Sequence, residues 1–254
     1  MKKTILAIPA LLTVLLLAAC GGSSQQVRSD PPLNSAPVAP VLTAPVKQEV
    51  ALPDSFSVWD QTVRNSGTAS LILAKNGVAF GSMQGTISPS VATLRMQVNG
   101  IGIGTVIQTT YGNYVESQLK DGNGNVIGFM RAEYFNPQTC QAIPQMKGYN
   151  GKLFSVFTIR NAAGRVLATS EKVDFSAGTT SFVIKEYLGS TFSCSLLSQG
   201  GYLGRTLATI QKDPSAGSSR WIVNQNPYSN LVDDRFFIAM AGLKSLSDKN
   251  PFWN

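Results

Sequence analysis

Residues 236–243, Phe-Phe-Ile-Ala-Met-Ala-Gly-Leu, carry no polar side chain. Asp233 and Asp234 suit the start of a helix, Lys244 and Lys249 suit its negative end, and Asn250-Pro251 supplies a stop. A helix that is apolar on every side must be surrounded by protein or by lipid. Eight such residues fall far short of the roughly 20 that span a bilayer. The chain is therefore expected to enclose this helix, with Phe236, Phe237, Ile238, Met240 and Leu243 as core residues. Gly242 fits the same picture, because a residue without a side chain lets a strand come close, despite a helix-propensity cost of about 1 kcal/mol.

What encloses the helix has the texture of strands. Residues 91–99 alternate strictly, with Ala92, Leu94, Met96 and Val98 on one face and Thr93, Arg95, Gln97 and Asn99 on the other. Residues 153–160 are apolar on one face (Leu153, Phe157, Ile159) and mixed on the other, and 166–175 and 180–187 are rich in β-branched and aromatic side chains. Asn76-Gly77 between two apolar runs is a favoured two-residue hairpin turn. Asp121-Gly122-Asn123-Gly124-Asn125 and Asn161-Ala162-Ala163-Gly164 join further strand pairs. About ten to twelve strands are expected. Gly100-Ile101-Gly102-Ile103-Gly104 has glycine-loop spacing with no helix after it and reads as a flexible β-bend.

Two hairpins align forty residues apart: Leu119-Lys120-Asp121-Gly122-Asn123-Gly124-Asn125-Val126-Ile127-Gly128 on Ile159-Arg160-Asn161-Ala162-Ala163-Gly164-Arg165-Val166-Leu167-Ala168. A period near this length suits a propeller, but no Gly-His or Trp-Asp signature recurs. Repeated Asx-x-x-Gly hairpins closed by a hydrophobic C-terminal helix resemble the tubby-like and phospholipid scramblase superfamily over residues 54–254. The resemblance implies an antiparallel β-barrel of about twelve strands around that helix. The superfamily is known for phosphoinositide binding and calcium-linked lipid movement, yet no motif carries a residue of either activity into this chain, and bacterial outer membranes lack phosphoinositides. The expected fold class is mainly β: a barrel of about 10–12 strands with a buried C-terminal helix.

The other end of the chain speaks about location. Lys2 and Lys3 precede a short apolar run, residues 5–19, which has the form of an export signal rather than a spanning helix. Leu17-Ala18-Ala19-Cys20 followed by Gly21-Gly22 resembles the lipobox of bacterial lipoproteins, which implies acylation of Cys20, with palmitate among the chains, and cleavage before it. Each buried methylene adds about 0.8 kcal/mol, and stable anchoring takes at least two chains. In lipoproteins an aspartate after the cysteine signals inner-membrane retention; Gly21 stands there instead, so the outer membrane of the cell envelope is expected. Residues 20–52 are rich in Pro, Ser and Ala and read as an extended linker. The expected domains are thus a signal peptide (1–19), an anchored linker (20–52) and a barrel (53–254).

Of the 3 cysteines, Cys20 is claimed by the anchor, leaving Cys140 and Cys194 as an even pair in an oxidising compartment. A disulfide would contribute about 4 kcal/mol on the chain-entropy model, and two buried free thiols are the alternative. With His 0, nucleophile–histidine catalysis is excluded, no metal site is expected and no cofactor is implied. Asp121 to Asn125 resembles a calcium loop only superficially, because the distant bidentate glutamate is missing. Remaining acid–base candidates are Asp60, Glu116, Glu133, Glu171, Asp174 and Glu186, none paired tellingly. Net charge is +7, and +5 without Lys2 and Lys3; the basic residues are scattered, so nucleic acid is not an expected partner. The partners expected are the membrane through acylated Cys20 and either anionic lipid or another envelope protein. The leading reading is a non-enzymatic, lipid-anchored binding or structural module; a lipid-carrying barrel and a carboxylate-dependent hydrolase are the alternatives. A barrel filled by its helix would leave a lipid no room.

Overall fold

The computed structural model describes residues 52–63, 66–112, 114–136, 138–143, 154–171, 173–174, 180–189, 203–215, 220–226 and 230–249, all within one unit, Gln48–Asn254. The signal and anchor residues lie outside them, as does the linker up to residue 51. The strands are β1 (Ser55–Asp60), β2 (Thr68–Lys75), β3 (Val78–Ile87), β4 (Val91–Val98), β5 (Ile101–Thr110), β6 (Tyr114–Asp121) and β7 (Val126–Phe135). They continue as β8 (Phe154–Asn161), β9 (Val166–Ser170), β10 (Val173–Asp174), β11 (Ser181–Tyr187), β12 (Leu203–Lys212) and β13 (Arg220–Gln225), and the chain then forms helix α1 (Arg235–Lys249).

Each strand pairs antiparallel with its neighbours, and β1–β13 together with β8–β9 close a twelve-strand ring. Closure removes the exposed edges that an open sheet of this size would present. A ring in which every wall is a ladder also excludes separate propeller blades. The alternation read along 91–98 sets the orientation: Ala92, Leu94, Met96 and Val98 are at most 1% exposed and face inward.

The turns behave as their residue types require. Asn76 and Gly77 have φ of 50° and 81°, the positive pair of a two-residue hairpin loop, and Lys75 faces Val78 across it. Asn99 and Gly100 repeat this with φ of 50° and 79°. The stretch 100–104 is therefore the end of a tight turn and the start of β5, not a flexible bend; the bulge between Met96 and Gln97 absorbs the register shift there. The forty-residue repeat is a repeat of one turn. Gly124 donates to the Asp121 carbonyl at 3.0 Å, and Asn125 N–H donates to the Asp121 carboxylate at 2.8 Å. Gly164 and Arg165 make the same two bonds to Asn161, each at 2.9 Å.

The stretch expected as one strand over 166–175 is two segments. At the break the Ser170 hydroxyl accepts the Phe157 N–H at 2.9 Å, taking the place of a ladder carbonyl, and Val173–Asp174 resumes the pairing with β8.

Helix α1 lies inside the ring. Every residue from 236 to 243 is buried, with Ile238, Ala239 and Ala241 at 0% exposure. Its neighbours come from opposite walls: β1, β12 and β13 on one side, Gly128 of β7 against the Phe236 ring on another, and Met83 of β3 and Leu71 of β2 against Gly242. Gly242 thus gives room to the Met83 thioether, whose sulfur would lie 2.5 Å from a Cβ, rather than to strand backbone. A ladder of rings, Phe157–Phe182 at 5.3 Å and Phe182–Trp221 at 5.9 Å, lines the wall, and Lys244 sits over Trp221 at 5.6 Å. Asp233 caps the helix by accepting the Arg235 N–H at 3.1 Å.

Candidate functional site

The apolar helix occupies the middle of the ring, the place a guest would take. Phe236, Phe237, Ile238, Met240 and Leu243 are all buried, at 2%, 3%, 0%, 6% and 8% exposure. The helix is also latched at its start. Arg235 donates to Asp233 through two side-chain bonds at 2.8 and 2.6 Å and to the Ile103 carbonyl of β5 at 2.8 Å. The Asp233 carboxylate outweighs partial burial and raises the Arg235 pKa above its ordinary value. Nothing in the sequence singled out Arg235; its role depends on a carbonyl more than a hundred residues away in the chain.

The carboxylates considered for acid–base work are engaged with other groups. Asp60, 1% exposed, accepts the Thr62 N–H at 2.7 Å. Glu116 and Glu133 both clasp Arg131, at 2.6 and 3.5 Å, and Arg131 lies over the Tyr114 ring at 4.4 Å. Burial opposes the Arg131 charge, but the two glutamates and Tyr114 outweigh it and raise its pKa. Glu171 pairs with Lys185 at 2.5 Å and Glu186 with Arg205 at 3.5 Å. The side chain of Asp174 lies outside the described residues. At Asp121 slight burial is outweighed by the Asn125 and Asn123 hydrogen bonds and by Arg235, so its carboxyl is held below 3.8. Asp213 is likewise lowered, first by the Ser215 hydroxyl and N–H and also by Arg220. Desolvation alone raises the Tyr134 phenol. These are the settings of turns and cross-strand clamps.

Among the described residues no group of three or more His, Cys, Asp or Glu side chains is placed to hold a metal ion, and no helix is long and apolar enough to cross a membrane.

Cys140 is disulfide-bonded, whereas Cys194, its expected partner, lies outside the described residues, as does Cys20. Cys140 and Leu203 pack on a second apolar cluster, Phe135, Val156, Val166 and Tyr187, separate from the cluster around the helix. Val156 sits opposite outward-facing Glu133, so this cluster lies on the outside of the wall. The sequence reading missed it because that side of β8 looked merely mixed.

The outer wall carries one further arrangement. While Arg131, Lys185, Arg205, Arg220 and Arg235 are ion-paired, Arg95, Lys120 and Arg165 have neither an ion pair nor a side-chain hydrogen bond among the described residues. Arg160 has only a long bond, 3.5 Å, to the Thr158 hydroxyl. Register aligns them on one face: Arg95 opposes Thr105, which opposes Lys120, and on the adjoining row Gln118 opposes Phe129, which opposes Arg160.

Comparison of the chain with family models, with curated proteins and with solved structures finds no match.

Proposed function

We propose that the chain is a non-enzymatic, lipid-anchored envelope protein, held at the outer membrane through acylated Cys20, whose barrel serves as a binding or structural module. The observation that carries this reading is the filled interior: a helix with eight consecutive buried residues stands where a lipid carrier would hold its acyl chain. Recognition is then a task for the outer wall. The carboxylates spent on clamping arginines and capping turns favour a module over a hydrolase. Twelve antiparallel strands around a C-terminal helix support a tubby-like origin for the barrel, with the pairing of Cys140 to Cys194 as a clasp on its outside.

The anchor is tested by Cys20→Ser. No other residue in a lipobox can carry the acyl chains, so the variant is expected to lose incorporation of a palmitate analogue entirely and to leave the membrane fraction. Label retained by the variant would contradict the lipoprotein reading.

A further inference from the structure

We infer that the outer face of β4 to β8 is a binding surface for a linear acidic polysaccharide, held by Arg95, Lys120, Arg160 and Arg165. This deepens the reading of the barrel as a binding module and rests on it, but it does not depend on the anchor. Arg95, Lys120 and Arg160 stand on β4, β6 and β8, one cation on every second strand. Strand spacing puts Arg95 and Lys120 about 10 Å apart across the wall, and the two-residue offset puts Arg160 roughly 12 Å beyond Lys120. Arg165, exposed in the turn just before β9, adjoins Val166, which lies opposite Arg160. A regular row of charges suits a polymer whose acid groups recur along its length.

The selective pairing elsewhere makes the row meaningful. Carboxylates of the barrel hold Arg131, Lys185, Arg205, Arg220 and Arg235; Glu116 and Glu133, which share the outer face with the row, are taken up by Arg131, and the row, like Lys75 on β2, is left without an ion pair among the described residues. Unpaired like charges on one face repel each other, and an anionic partner relieves that repulsion. Between the cations stand groups that suit a hydroxyl-rich partner: the Thr105 hydroxyl, the Gln118 amide and the half-buried Phe129 ring, on which the C–H face of a sugar can lie, while Gln84 and Thr93 flank Arg95. A bilayer surface fits less well. Among the described residues the exposed large apolar side chains lie off the cation row; Val91, on the same side of β4, stands four positions from Arg95, so the row itself presents no exposed large apolar wedge to acyl chains.

The test uses the full-length protein in detergent, with binding measured to alginate, to neutral dextran, to double-stranded DNA and to glycerophosphoglycerol, the soluble headgroup of an anionic lipid. Alginate is expected to bind, with affinity falling as salt rises because exposed charges are screened over about 10 Å at 0.1 M. Dextran should not bind. Arg95→Gln with Lys120→Gln should weaken alginate binding at least tenfold, whereas Lys185→Gln, which removes a paired cation on β11, should leave it unchanged. Both variants should melt like the parent, which separates lost binding from lost fold. No binding to alginate, equal loss with Lys185→Gln, or tighter binding to the lipid headgroup or to DNA would overturn the assignment. Because Cys20 is intact throughout, failure here leaves the anchor reading standing, and failure of the Cys20→Ser test leaves this one.

Discussion

A chain ending at Val232 is expected to show no cooperative thermal transition. The ring of strands in such a chain would face an empty interior lined by Leu71, Met83, Leu94, Met96, Val223 and Trp221, all at 0% exposure in the intact fold. A cavity the size of a helix is far beyond what relaxation closes, and a typical domain is stable by only about 5 to 15 kcal/mol. The alanine series says the same in smaller steps: truncating Phe236 or Ile238 should cost about 2 to 5 kcal/mol each, read as a shift in the denaturation midpoint at unchanged slope. A helix that lay on a membrane or docked a partner would behave differently, since its removal would leave the melt of residues 1–232 unchanged.

The second large effect is expected at Gly128, where β7 packs against the Phe236 ring of the helix. A Cβ there would collide with the carbonyl oxygen of Arg160 on β8 and would stand 2.9 Å from the edge of the Phe236 ring. Backbone in a closed ring cannot yield as a side chain can. Gly128→Val should therefore destabilise the domain by at least the roughly 1 to 3 kcal/mol typical of overpacking. Gly242→Ala makes the informative contrast. Its Cβ meets the flexible end of Met83, and alanine recovers about 1 kcal/mol of helix propensity, so the net change should be small. Chemical denaturation of the two variants checks the order; a Gly128→Val protein as stable as the parent would mean that Phe236 is not seated against β7.

Much of this architecture was legible in the sequence for local reasons. The alternation at 91–98, the Asn-Gly and Asx-x-x-Gly turns and the unbroken apolar run at 236–243 each depend on residues within a few positions of one another, and together they leave a barrel around a helix as the consistent solution. What stayed hidden depends on distant partners. The break after Ser170 arises because its hydroxyl replaces a backbone acceptor for Phe157, and the outer cluster of Phe135, Val156, Val166 and Tyr187 draws on four different strands, with Cys140 and Leu203 packed against it. The cation row is of the same kind: Arg95, Lys120 and Arg160 look scattered along the chain and become neighbours only once strand register is known. The site was less legible than the fold because charge pairing is a property of register, and register is set by the ring as a whole.

Helix α1 is the core of the barrel, and native-state hydrogen exchange on the intact protein reads that role residue by residue. Amides of Ile238, Ala239, Met240, Ala241 and Leu243 are predicted to exchange only through global unfolding, as slowly as those of Leu94 and Met96 in β4, because the helix cannot open without emptying the ring. Exchange of these helix amides through a local opening several kcal/mol below the global value, with the β4 amides still protected, would mean that the ring holds together without the helix.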